Sequence, residues 1–186
     1  MRVFVAINPT EAVRSRVKAA ARPLREAGFP IRWVADENVH LTMKFLGEVP
    51  EERLEDLYRV VDEAAECVSS FDMNLKGFGA FPSPRRPSVV WAGIDLDPAL
   101  VELQGQIEDA LAKLGYPRED RRFHPHLTLG RAQKKARPSE FEGLPEAMDR
   151  LEYSDNFRVE AVDVVRSVLM PTGAVYDIIH SAELVS

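Results

Sequence analysis

The chain has one cysteine, four histidines and no long apolar run, and each shortage removes a class of protein. Cys67 alone cannot close an internal disulfide, so no disulfide framework holds the fold, and the sequence reads as cytoplasmic. The opening apolar stretch, residues 3–7, is too short for a secretory leader, and no run approaches the roughly 20 apolar residues that span a bilayer, so no membrane role is expected. Low-complexity tracts are also missing. With 186 residues, 45% of them hydrophobic, the chain can bury a real core as one domain or one close pair of lobes. Positive charge is in deficit, 24 Lys and Arg against 30 Asp and Glu, for a net charge of −6. That balance argues against gripping nucleic acid through bulk electrostatics.

The charge is patterned, however. Residues 48–66 hold eight acidic and two basic side chains, whereas 118–137 hold seven basic and two acidic. Each run can be a solvated face, but the basic one surrounds a short motif that occurs twice. His40-Leu41-Thr42 recurs as His126-Leu127-Thr128, 86 positions later. The same offset relates Phe71 to Phe157 and the run 89–94 to 175–180. An offset of 87 relates Gly28-Phe29-Pro30 to Gly115-Tyr116-Pro117. These matches describe one bilobal domain, 1–186, built by internal duplication, with copies at approximately 1–94 and 89–183.

Apolar periodicity supplies the elements. Residues 3–7 predict a buried strand. Thr10 predicts the N-cap of a helix whose apolar positions Val13, Val17, Ala20, Ala21 and Leu24 recur at helical spacing, ending at Gly28 and Pro30. Strands are expected at 31–34 and 40–46, and a helix from Pro50 to near Ser70. A half-buried strand from Phe71 should lead into a stiff basic loop at 81–87, then a strand at 89–94. Asp97-Pro98 predicts the start of another helix. The second triplet should lie on a strand at 126–130, residues 134–150 read as loop and short helix, and strands near 157–169 and 175–183 close the chain. The class is α+β.

On a strand, residues two apart share a face, so His40 sides with Thr42 and His126 with Thr128. Each copy thus offers an imidazole that exchanges protons near neutral pH and a hydroxyl that binds oxygen. Two copies facing across a cleft put an acid and a base on opposite sides of one centre, as in-line displacement at phosphorus requires. One such triplet alone would be read as structural; the recurrence favours function, because a duplicated fold needs its apolar positions to repeat but not its histidines. Around the pair, His124 shares the face of His126 unless Pro125 bends the chain, and strict alternation turns Arg131 away unless Gly130 permits a bulge. Arg85 and Arg86 form a candidate phosphate clamp. Trp33, Phe45 and Phe81 offer rings to a base, or belong to the core. His180 reads as structural, and Cys67 as lying on the apolar side of an acidic helix.

The paired triplets, Arg32-Trp33-Val34, the stretch 40–48, the run from 81 to 93 and the stretch 123–131 together resemble the two-histidine (2H) phosphoesterases. Within these they look most like the bacterial and archaeal RNA 2′,3′-cyclic phosphodiesterases, also called 2′-5′ RNA ligases. The resemblance implies a bilobal α+β fold, with two lobes of antiparallel sheet plus helices related by a pseudo-two-fold axis around a central cleft. It implies metal-independent hydrolysis of an RNA 2′,3′-cyclic phosphate to a 2′-phosphomonoester, with 2′-5′ ligation as a side activity and no cofactor. His40 would be the proton donor and His126 the acceptor, although the near-identical motifs leave these roles exchangeable. Thr42 and Thr128 would hold the non-bridging oxygens, with Arg131, Phe45, Arg85, Arg86 and His124 as substrate contacts. The partner would be an RNA or oligonucleotide with a cyclic phosphate end, and the protein a monomer. Two other readings stay open: a metal-dependent phosphohydrolase using His124 and His126, and a non-catalytic RNA-end binding module.

Overall fold

The architecture follows from where the buried positions fall. The computed structural model of the chain describes all of residues 1–186. Its elements run β1 (Arg2–Ile7), α1 (Glu11–Glu26), β2 (Ile31–Trp33), β3 (Leu41–Glu48), α2 (Leu54–Ala65), β4 (Phe71–Ser83), β5 (Arg86–Ile94) and α3 (Pro98–Lys113). Then come β6 (His126–Ala132), α4 (Leu144–Asp149), β7 (Ser154–Val159), β8 (Ala161–Met170) and β9 (Gly173–Glu183). The expected caps form: the Thr10 hydroxyl accepts from the Val13 amide at 3.3 Å, and the Asp97 carboxylate from the Ala99 amide at 2.8 Å. No helix is long and apolar enough to cross a membrane.

All strands join one antiparallel sheet in the order β7-β4-β5-β6-β3-β1-β8-β9, with β2 added beside β6. The buried side chains of β1, β3, β5 and β6 (Val5, Leu41, Ala92 and Leu127 among them) meet those of α1, α2 and α3 in one continuous core, so these helices lie on one face of the sheet. A smaller cluster around Phe141, Leu144 and Met148 seals α4 onto Ala80 and Val90. The order is symmetric about the β3–β6 junction. β1 and β5 flank it, and β8 and β4 come next. An internal duplication in which each copy lends its late strands to the other lobe would account for this.

Four expectations are corrected. The residues read as a loop at 81–87 are mostly strand: β4 runs through Ser83 and only Pro84 and Arg85 turn. Alternating side chains and ladder hydrogen bonds override proline content there, as they do at strand ends. The second helix starts later and stops earlier than 50–70, with a 3-10 turn at Glu51–Arg53 and its end at Ala65. The apolar stretch near 157–169 is two strands broken at Glu160. β7 crosses to pair with β4, whereas β8 pairs with β1. Cys67 lies just past α2 and is exposed, its thiol directed to the Glu63 carbonyl.

The approach to β6 is fixed by an ion pair the sequence did not single out. Lys44, on the helix-side face of β3, is only 4% exposed and Glu108 of α3 only 3%. The Lys44 ammonium donates to the Glu108 carboxylate at 2.9 Å and to the Pro117 carbonyl at 2.6 Å. Glu108 also accepts from the Glu119 amide at 3.1 Å and from Gln104 at 3.3 Å. The loop that delivers residues 124–126 is therefore tied to β3 of the other lobe. Replacing Lys44 by Met would leave a buried carboxylate short of its counter-charge and should cost about 3–5 kcal/mol. Urea denaturation should show this loss, and a Lys44→Met/Glu108→Leu double variant should recover much of it.

Candidate active site

The two lobes share a single backbone pairing between β3 and β6, Leu41 opposite Leu127. These are the central residues of the two triplets, and both point into the helix-side core. Their neighbours therefore point to the open face. In an antiparallel register His40 then faces Thr128 and Thr42 faces His126, so the imidazoles stand on a diagonal, where cross-strand neighbours are about 7–8 Å apart. This is the arrangement expected from the motif's alternation.

Each imidazole is held the same way. Nδ1 of His40 bonds the Asn38 carbonyl at 2.7 Å, and Nδ1 of His126 bonds the His124 carbonyl, also at 2.7 Å. A carbonyl only accepts, so Nδ1 carries the proton in both rings and Nε2 is left as the exchanging nitrogen. The surroundings then differ. His40 stacks on Phe4 with centroids 4.8 Å apart, takes the edge of Tyr176 at 5.3 Å, and its Nε2 contacts the Thr42 hydroxyl at 2.9 Å. Arg14 braces the preceding segment through the Val39 carbonyl at 3.1 Å. His126 meets Phe81 edge-on at 5.0 Å, and Phe81 leans on Trp91 at 5.1 Å. Phe4, Arg14 and Tyr176 were missed from sequence because their distance along the chain from either triplet gave no signal.

Burial lowers the pKa of both imidazoles from the ordinary 6.5. For His40 the positive charges of Arg14, His126 and Arg131 act in the same direction, and the Asn38 carbonyl opposes them. For His126 Arg131 and His124 add to the lowering, against the His124 carbonyl. Arg131 thus acts on both rings, although simple alternation turns it away. The reason is a bulge. Trp91 pairs with Thr128 but Val90 with Gly130, so Leu129 is the extra residue and Arg131 returns to the face of His126. The expected bulge exists, but Gly130 has another duty: a Cβ there would come within 2.6 Å of Ile31, so glycine lets β2 pack against β6.

β3 carries the matching irregularity. Val5 pairs with Lys44 but Ala6 with Thr42, leaving Met43 as the extra residue and returning Phe45 to the open face, opposite Phe4. Phe45 is 65% exposed, which excludes it from the core. Equivalent positions thus present a phenyl ring on one lobe and a guanidinium on the other. Trp33 packs on the helix side beneath Arg25, and Phe81 forms a wall beside His126. Arg85 and Arg86 sit exposed at the tip of the β4–β5 hairpin and are absent from the charges acting on either ring. His180 bonds Asp62 at 2.7 Å and stacks on Tyr58, fastening β9 to α2. No three His, Cys, Asp or Glu side chains converge in a way that could hold a metal ion, so His124 and His126 gain no third ligand.

Comparison with known proteins bears on this geometry. The family model described as the 2′-5′ RNA ligase superfamily matches residues 9–169. A protein of Archaeoglobus fulgidus named RNA 2′,3′-cyclic phosphodiesterase is 35% identical over 182 residues, 95% of this chain and 96% of its own. One of the same name from Thermotoga maritima is 32% identical over 185 residues, 98% of this chain and 95% of its own. A solved structure from Thermus thermophilus superimposes with a TM-score of 0.82 at 28% identity, covering 99% of this chain and 98% of that one. LigT of E. coli, solved with 3′-AMP, shares the fold with a TM-score of 0.77 at 24% identity, covering 100% and 98%. With its paired triplets meeting at one strand junction and a family match over most of its length, the chain belongs to the 2′-5′ RNA ligase superfamily.

Proposed function

We propose that the chain hydrolyses a 2′,3′-cyclic phosphate at an RNA end to a 2′-phosphomonoester, by acid–base catalysis between His40 and His126 and without a metal ion. The observation that carries this is the twofold arrangement of carbonyl-anchored imidazoles, each on the same strand face as the threonine of its own triplet, where the two strands meet. The names of the relatives support the same substrate class. Water attacks phosphorus as His126 Nε2 takes its proton. The P–O3′ bond breaks and His40 Nε2 gives its proton to the departing 3′ oxygen, leaving the phosphate on O2′. Thr42 and Thr128 hold the non-bridging oxygens, and Arg131 offsets the negative charge that builds on them. An RNA 5′-hydroxyl in place of water would give 2′-5′ ligation as a side reaction at the same centre. Phe45 offers its exposed ring to the terminal base, while His124, Arg85 and Arg86 meet the RNA further out. Both triplets come from one chain, so a monomer is a sufficient unit, and the lone thiol suits the cytoplasm.

Losing either general acid or general base typically costs 10²–10⁴-fold. His40→Ala and His126→Ala should each lower turnover of a short RNA ending in a 2′,3′-cyclic phosphate by roughly that factor, measured in excess chelator. Wild-type rates in both variants would overturn the reading. Activity that vanished with chelator and returned with zinc would move the chemistry to a metal at His124 and His126.

The pH profile is a separate check. In the free protein one imidazole must be neutral and the other protonated, and both have pKa values below the ordinary 6.5. The bell in kcat/KM should therefore peak at pH below about 6.5. A bound phosphate anion favours the protonated ring, so the bell in kcat should lie at higher pH than that in kcat/KM.

A further inference from the structure

Arg32 and Arg131 oppose each other directly in the β2–β6 ladder. Directly opposed residues share a face, and like charges so placed repel. Neither guanidinium has a hydrogen-bonding or ion-pairing partner in the protein, and both are exposed. Their common face is the catalytic one. Ile31 and Trp33 pack into the helix-side clusters, so Arg32 between them points the other way, and the bulge at Leu129 brings Arg131 round to join it. Position matters as much as direction. β6 pairs with β3 only at Leu127, and from Gly130 onward β2 takes that side of the strand. Arg32 therefore lies where the lobes diverge, at the mouth of the cleft, one strand beyond Arg131.

We infer that Arg32 extends the cationic edge begun by Arg131 into a second anion site that takes the internucleotide phosphate next to the reacting cyclic phosphate, Arg131 sharing its five N–H donors between the two phosphates, so that the enzyme grips an oligonucleotide better than a mononucleotide. This rests on the function proposed above. Phosphate bridges two guanidiniums readily, because its oxygens accept from both forks at once, and its charge relieves the repulsion between them. A protein carboxylate at this place would have done the same job permanently; its absence leaves the pair available for a ligand. The RNA would then leave the His pair along the cationic end of β6, with the terminal base toward Phe45 on the opposite lobe. The overall negative charge of the chain is compatible with this, since the site uses two local cations rather than the net field.

The test is equilibrium binding of two products, a nucleoside 2′-monophosphate and a short oligoribonucleotide ending in a 2′-phosphate, to wild-type protein, Arg32→Ala and Arg32→Lys. Arg32→Ala should weaken the oligonucleotide roughly 3- to 30-fold, the range for a charged hydrogen bond at a partly exposed site, and leave the mononucleotide unchanged. The salt dependence of oligonucleotide binding should fall by about 0.7 in slope, one phosphate contact on a single strand. Arg32→Lys should recover only part of the loss. An oligonucleotide whose last linkage is an uncharged methylphosphonate should bind wild type and Arg32→Ala equally. Equal losses for mononucleotide and oligonucleotide, or no loss for either, would overturn the second site. Because binding is read without turnover, wild-type protein that binds both products but hydrolyses no cyclic phosphate would sink the catalytic reading alone.

Discussion

The structure depends on one strand contact, Leu41 against Leu127. It is the single backbone pairing between β3 and β6. Two apolar side chains buried on the helix side fix the facing of four polar ones on the other, because strand side chains alternate. A slip of one residue in either strand would bury a histidine and a threonine and expose the leucine, which the core does not allow. The hydrophobic requirement of the fold and the geometric requirement of the chemistry are thus met by the same register.

Symmetry ends at the second layer. Matching bulges at Met43 and Leu129 turn the following strand residues toward the cleft, and there the lobes present different chemistry, Phe45 on one and Arg131 on the other. A ligand with an apolar ring at one end and a phosphate at the other can be held in one sense across such a cleft. The imidazoles follow the same pattern, with identical anchoring through Nδ1 but different walls, Phe4 and Tyr176 around His40 and Phe81 beside His126. Two residues of the same type in unlike surroundings are a physical basis for separate acid and base roles.

The supports of the site are drawn from the whole chain. Arg14 on α1 holds the Val39 carbonyl, Asn38 reaches the Ala174 carbonyl on β9 at 2.8 Å, and Lys44 ties the loop before His126 to α3. Each crosses between segments far apart in sequence, so the segments whose own carbonyls anchor the two imidazoles are in turn held in place by tertiary contacts. The buried Lys44–Glu108 pair also illustrates how a charge can be required without touching the chemistry.

The His-Leu-Thr repeat, the helix caps at Thr10 and Asp97, the α+β class and the side of the strand on which His40, Thr42, His126 and Thr128 lie were all determined by the sequence, because alternation and capping are local rules. The meeting of the two triplets, the return of Arg131 and Phe45 to the cleft, the pairing of Arg32 with Arg131 and the division of the 157–169 stretch between lobes were decided only by the tertiary structure. The physical reason is that each depends on which strand lies alongside. A bulge is defined by a partner that lacks the extra residue, and an exposed arginine becomes half of a pair only when another strand brings the second one opposite it.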